Sequence, residues 1–259
     1  MDAAQIIRDA VTRVSQLRDI HASDPELSAR VTAVKAFQSH RFAGTYADLL
    51  GGGPYRDAAR FFLEELYSDK DYADRDAQFG RIAGALQTLF PKQVVATAVS
   101  LAQLHILTEE MDHAMALSWP RTSALADMSP SAWYISAWRA VGRRAERNRQ
   151  LQVVQEIGRE LARLTRMPGL RLMLRMMRKP AHAAGLGSLQ EFLESGFDTF
   201  ASMSRRPNGV ETFLSIVDER ESALIDLLFE GELVACETKL AAILGRSHRP
   251  AAATTGKMT

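Results

Sequence analysis

Apolar residues recur at steps of three and four along almost the whole chain, and this spacing restricts the fold more than any other feature. Ile7, Ala10, Val14 and Leu17 form one such set, and Leu27, Val31, Val34 and Phe42 form another. Strand-like alternation is absent, and no βαβ pattern or glycine-rich phosphate loop occurs. The punctuation is helical as well. Asp24-Pro25 and Ser129-Pro130 each read as an N-cap followed by proline at the first helical position. Gly51-Gly52-Gly53-Pro54 ends one helix and begins another. Pro91, Pro168, Pro180 and Arg205-Arg206-Pro207-Asn208-Gly209 mark further joints.

The spacing predicts an all-α protein of about nine or ten helices in bundle-like or orthogonal packing. The expected helices are 3–20, 25–49, 55–67, 75–89, 92–117, 130–165, 169–178, 187–203, 210–230 and 232–244. One domain over 1–245 is expected, with 118–129 as the alternative seam and 246–259 as a disordered tail. With 259 residues, 46% of them apolar, the chain can bury a substantial core. The single cysteine, Cys236, excludes an intrachain disulfide and suits a reducing compartment. The N-terminus lacks an apolar signal core, and the longest charge-free run, VVATAVSLAQLHILT, falls short of the roughly 20 residues needed to span a bilayer. The expected location is cytoplasmic.

The net charge of +1 is unevenly distributed. Residues 139–179 hold eleven arginines and one lysine against three glutamates, a local charge of +9. Residues 46–116 carry −5 and residues 190–240 carry −7. Either these parts attract one another within the fold, or the basic middle presents an anion-binding face. Arg159, Arg163 and Arg166 share one helix face. Arg171, Arg175 and Arg178 share another, opposite Leu170, Met173, Leu174 and Met177. The second set is the candidate for an anionic ligand, a nucleic acid or a membrane surface. Some arginines are expected to pair with 190–240. Trp133, Tyr134 and Trp138 stand beside the basic region and read first as core aromatics, second as base-stacking groups.

The stretch FFLEELYSDKDYADRDAQF, residues 61–79, sets two glutamates side by side before a run of aspartates. On a helical wheel Glu64 faces outward beside Arg60, an ordinary exposed pair. Glu65 falls within the apolar arc and is expected to be a buried, ion-paired carboxylate. Asp71 or Asp74 suits a helix cap, and the spacing lacks the glycine and terminal glutamate of a calcium loop. In 92–117 the wheel sets His105, Thr108 and Asp112 in the middle of an apolar face. Glu110-Met111-Asp112-His113 matches the Glu-x-x-His pair of di-iron bundles, but no second pair occurs. In 210–230 Arg220 lies at the centre of an apolar face and must find a carboxylate if buried. A buried network of Glu65, His105, Thr108, Asp112 and Arg220 would satisfy these groups.

FFLEELYS at 61–68, RDAQFGRI at 75–82 and RFAGTYADLL at 41–50 resemble a bacterial protein family named for the FFLEELYS motif, over about residues 25–230. That family has no assigned activity, so the resemblance implies a bacterial source and no catalytic residues. No nucleophile elbow, zinc-spaced Cys/His set or kinase signature is present, and no cofactor or metal is predicted. The first functional reading is a helical binding or interaction protein with a basic face. The alternative is a cofactor-dependent helical protein built around His105 and Asp112, with haem ahead of di-iron.

Overall fold

Local signals set the helix ends. The Asp2 carboxylate accepts from the Ala4 backbone N–H and opens α1 (Ala3–Ser23). Asp24 accepts from the N–H groups of Glu26 and Leu27, and Pro25 follows it at the start of α2 (Pro25–Thr45). The computed structural model describes residues 2–67, 70, 72–119 and 128–247. The remaining helices are α3 (Ala47–Leu50), α4 (Arg56–Glu65), α5 (Ala73–Leu89), α6 (Lys92–Leu117), α7 (Pro130–Val141), α8 (Arg144–Leu164), α9 (Leu170–Met176), α10 (Arg178–Ala183), α11 (Gly187–Ser204), α12 (Gly209–Glu230) and α13 (Leu233–Ser247). Eleven of these have seven residues or more, slightly above the expected nine or ten, and no strand occurs among the described residues. No described helix is long and apolar enough to cross a membrane.

Two expected helices are each divided. The segment 130–165 breaks at Gly142, which takes φ +62° and closes α7 with its N–H on the Trp138 carbonyl. Glycine alone adopts that left-handed conformation without a Cβ penalty, so the chain restarts as α8 in a new direction. The segment 25–49 breaks at Tyr46, whose φ of −110° and ψ of 22° leave the helical region. At the chain's other end α13 runs through Ser247, three residues past the expected helix end at 244 and two into the expected tail; the rest of that tail, 248–259, lies outside the described residues.

Three apolar clusters make the interior. Leu27, Val34, Phe37, Met115, Tyr134 and Leu240 belong to one, which joins α2, α6, α7, α12 and α13. Phe42, Tyr46, Phe62, Phe200 and Phe213 belong to a second, between α2, α4, α11 and α12. Ile7, Ala83 and Leu86 belong to a third, where α1 meets α5 and α6. Helix α8 packs on α6 and α13 packs on α2, so helices on either side of 118–129 lie against each other. Gly44 makes the α2–α13 approach close: a Cβ there would lie 1.9 Å from the Ile243 carbonyl oxygen. Tyr134 and Trp138 are buried in the first cluster and Trp133 packs against it, the core reading of the three aromatics.

Candidate functional site

The central buried ion pair is one that the helical wheels did not single out. Arg41 on α2 donates through Nη1 to both Glu221 oxygens, at 2.6 and 2.8 Å, and the Tyr46 hydroxyl donates to Glu221 Oε1 at 3.0 Å. Arg41 is 8% exposed and Glu221 9%. Burial alone would lower the Arg41 pKa, but the Glu221 charge and hydrogen bond, with the neighbouring Tyr134 and Tyr67, together outweigh it and the net shift is upward. Burial, then the Glu221 charge, raises the hydroxyls of Tyr46 and Tyr67, and burial also raises that of Tyr134. All three stay neutral at physiological pH. Arg147 on α8 lies beside this set, with its guanidinium 4.2 Å from the Trp138 ring centroid and Nη1 donating to Gln150. Its Nη2 is buried and makes no hydrogen bond among the described residues.

The expected five-residue network is distributed over separate contacts. Asp112 is buried and accepts from Gln38 Nε2 at 2.9 Å, and burial raises its pKa. Thr108 accepts from Gln150 Nε2 at 3.0 Å. His105 is half-buried, and its Nε2 lies 2.9 Å from Asp76 Oδ2, not near Asp112. Asp112 sits two turns farther along α6, roughly 10 Å away along the axis. Asp76 also accepts from Arg18; burial would raise its pKa, but the His105 and Arg18 contacts outweigh burial and lower it.

Arg220 is not in the core. It clamps Asp48 with two bonds of 2.8 Å and donates to the Thr45 carbonyl, with 31% of its side chain exposed. The buried stripe of α12 runs through Val210, Phe213, Leu214, Val217, Glu221, Leu224 and Leu228, which turns Glu221 inward and leaves Arg220 at the edge. Arg41 had a readable signal of the same kind, since it lies four residues after Phe37 in the buried stripe of α2.

Glu65 is ion-paired but not deeply buried. It is the last residue of α4, its side chain is 28% exposed, and its partner is Arg75 at 3.2 Å. Arg75 in turn lies over the rings of Tyr72 and Phe192. Because the helix ends at Glu65, its wheel position gives no buried neighbour in the next turn. Glu64 pairs with Arg60 on the exposed side, as the wheel predicts. Of the proposed caps, Asp74 lies inside the first turn of α5 and Asp71 lies outside the described residues. Glu65, Asp74, Arg75 and Phe192 line a cleft of about 280 Å³ at this corner.

Of the Glu-x-x-His pair, Glu110 accepts from Arg13, and His113 stacks on the buried His21 with Nδ1 3.0 Å from His21 Nε2. Burial, then each ring's positive neighbours, lowers both histidine pKa values. Glu109 is buried and accepts two bonds from Lys35, at 2.7 and 2.9 Å. Among the described residues no group of three or more His, Cys, Asp or Glu side chains is placed to hold a metal ion.

The basic segment is largely paired inside the fold. Arg144 bonds Asp226 and Glu230, Arg159 lies 3.6 Å from Glu211, and Arg139 donates to the Leu228 carbonyl. Two members of the candidate anion-binding set are engaged as well: Arg171 bonds Asp198 at 2.8 Å, and Arg178 bonds Glu194. The acidic residues of α11 lie close enough in space to reach them, which sequence distance concealed. Arg175 is exposed and has no ion pair or hydrogen bond among the described residues.

A second feature of this region could not be read from the sequence. Thr165, Arg166, Arg171, Ser204 and Arg205 line a cleft of about 240 Å³ with Phe197 at its wall. Arg166 and Arg205 are exposed, and the Arg171 Nε is buried without a hydrogen-bond partner among the described residues. Thr165 and Arg205 are the C-caps of α8 and α11. The dipoles there oppose an anion by about 0.3–1 kcal/mol each. Three guanidinium groups against one Asp198 carboxylate leave the cleft positive despite those dipoles.

No curated protein and no solved structure matches the chain. A family model described as "Domain of unknown function (DUF8198)" matches residues 17–234, from the second half of α1 to the start of α13. Both clefts and the buried Arg41–Glu221 pair lie within that span, and the chain belongs to this family of proteins with a DUF8198 domain.

Proposed function

We propose that the protein is a helical binding protein that takes a phosphate-type anion in the cleft of Thr165, Arg166, Arg171, Ser204 and Arg205. The observation that carries this reading is the convergence of three arginines and the Ser204 hydroxyl, with the Arg171 Nε buried and without a hydrogen-bond partner among the described residues. Guanidinium groups match the planar faces of a phosphate, and the Ser204 hydroxyl can donate to a further oxygen, while the Thr165 hydroxyl donates to the Ala162 carbonyl at 2.9 Å. The cleft's volume, about 240 Å³, is below the usual range for a drug-sized ligand and suits one phosphate group better than a whole nucleotide. A bacterial cytoplasm is the proposed setting, supported by the FFLEELYS resemblance and by the single cysteine.

Isothermal titration with inorganic phosphate and with pyrophosphate tests the reading. Saturable binding is expected at low salt, weaker at physiological salt. The double change Arg166→Gln/Arg205→Gln removes two exposed charges without touching the core and should abolish it. Absence of saturable binding by the wild type, or equal binding by the double variant, overturns the proposal.

A further inference from the structure

Helices α9 and α10 present an unusual surface beside the cleft. Leu172 and Met176 are 63% and 68% exposed, and Met177 is 41% exposed. Arg175 and Lys179 are exposed on the same stretch, with no ion pair among the described residues. At about 100° per residue, Leu172, Arg175, Met176 and Lys179 fall within an arc of roughly 100°. Met177 keeps right-handed helical dihedrals between α9 and α10, so this arc continues across the junction. The inward side is held to the body: Gln190 on α11 donates to the Leu174 carbonyl, and Arg178 bonds Glu194.

We propose that this face docks on an anionic lipid bilayer, with Leu172 and Met176 entering the headgroup boundary and Arg175 and Lys179 meeting lipid phosphates. The proposal rests on the anion-binding reading above, because Arg171 of the cleft immediately precedes the face. Leaving two long apolar side chains in water is unfavourable, and a membrane boundary accepts them together with flanking cations. Charge complementarity specifies the occupant: the exposed ionic groups of this arc are cations, and an anionic leaflet attracts each of them. A nucleic acid would use the cations but leave the aliphatic groups without a role. The aromatics of α7 that the sequence offered for base stacking belong to the core, where Tyr134 and Trp138 are buried.

Vesicle co-sedimentation provides the test, using phosphatidylcholine vesicles that contain about one-third phosphatidylserine, and pure phosphatidylcholine as control. The wild type should bind the anionic vesicles and not the neutral ones. Leu172→Ser/Met176→Ser keeps every charge and should weaken binding by at least about tenfold. Titration with inorganic phosphate should be unchanged in that variant, which also shows that it is folded. Arg175→Gln/Lys179→Gln should weaken vesicle binding and flatten its salt dependence. No binding to anionic vesicles at low salt overturns the proposal, and so does equal binding by the serine variant. Tighter binding to a single-stranded oligonucleotide, unaffected by the serine changes, overturns it in favour of nucleic acid. Phosphate binding without vesicle binding sinks the docking face alone; vesicle binding without phosphate binding sinks the cleft reading alone.

Discussion

Replacing Glu221 with glutamine tests how the buried ion pair supports the fold. The carboxylate accepts two bonds from Arg41 and one from Tyr46, and both charged side chains are buried, 9% and 11% exposed. Arginine cannot shed its proton to escape a stranded position, so Glu221→Gln leaves a buried positive charge with weaker acceptors. Breaking a buried pair in this way costs about 3–5 kcal/mol. That is a large fraction of the roughly 5–15 kcal/mol that separates a folded domain from its unfolded chain. Arg41→Met/Glu221→Leu removes both charges and should recover most of the loss. The remaining deficit, about 1–3 kcal/mol, is the Tyr46 hydroxyl without its acceptor, and adding Tyr46→Phe should reduce it. Arg220→Met is the contrast, because its Asp48 partner is 58% exposed and the pair is worth at most about 1 kcal/mol. Urea unfolding followed by circular dichroism measures these four variants together with the single changes Arg41→Met and Glu221→Leu. A Glu221→Gln cost below about 1 kcal/mol would refute the reasoning, as would a double variant whose loss equals the sum of the two single losses.

Gly44→Ala forces a methyl against the Ile243 carbonyl, where backbone cannot yield as a side chain tip would, and should destabilise by about 1–3 kcal/mol or more; an unchanged unfolding midpoint would show that α13 can shift freely on α2. Burial, followed by neighbouring cations, lowers the pKa of His21 and His113, so the unfolded chain takes up protons first. Their stabilising contribution is present above about pH 6.5 and is lost as pH falls below it, with Arg13, Arg18 and Lys35 opposing protonation and Glu109 and Glu110 favouring it. Asp112, whose pKa burial raises, acts in the opposite sense, its penalty easing as acid protonates it. The urea midpoint should therefore drop between pH 7 and 5, and His21→Gln/His113→Gln should flatten that drop; the same slope in the variant would assign the acid sensitivity elsewhere.

Periodicity alone was sufficient for the all-α class and for most helix ends. The reason is local: an apolar residue every three or four positions makes one stripe, and Asp24, Ser129 and the prolines satisfy or remove the end N–H groups within a few residues. Helix α6 begins and ends where its sequence pattern does. The division of α7 from α8 depended on Gly142 taking a positive φ, a choice that glycine permits and a tertiary turn selects. The functional groups were legible only in part. A wheel orders residues around their own axis, so it could set Asp112 in the core. It cannot say which helix lies opposite, and that alone decided that Asp112 meets Gln38, His105 meets Asp76 and Glu65 meets Arg75. A rotation of one residue, about 100°, separates Arg220 at the edge of α12 from Glu221 at the centre of its buried stripe. The arginine cleft needed more still, since Thr165 and Arg205 come together only when the C-terminal ends of α8 and α11 are packed side by side.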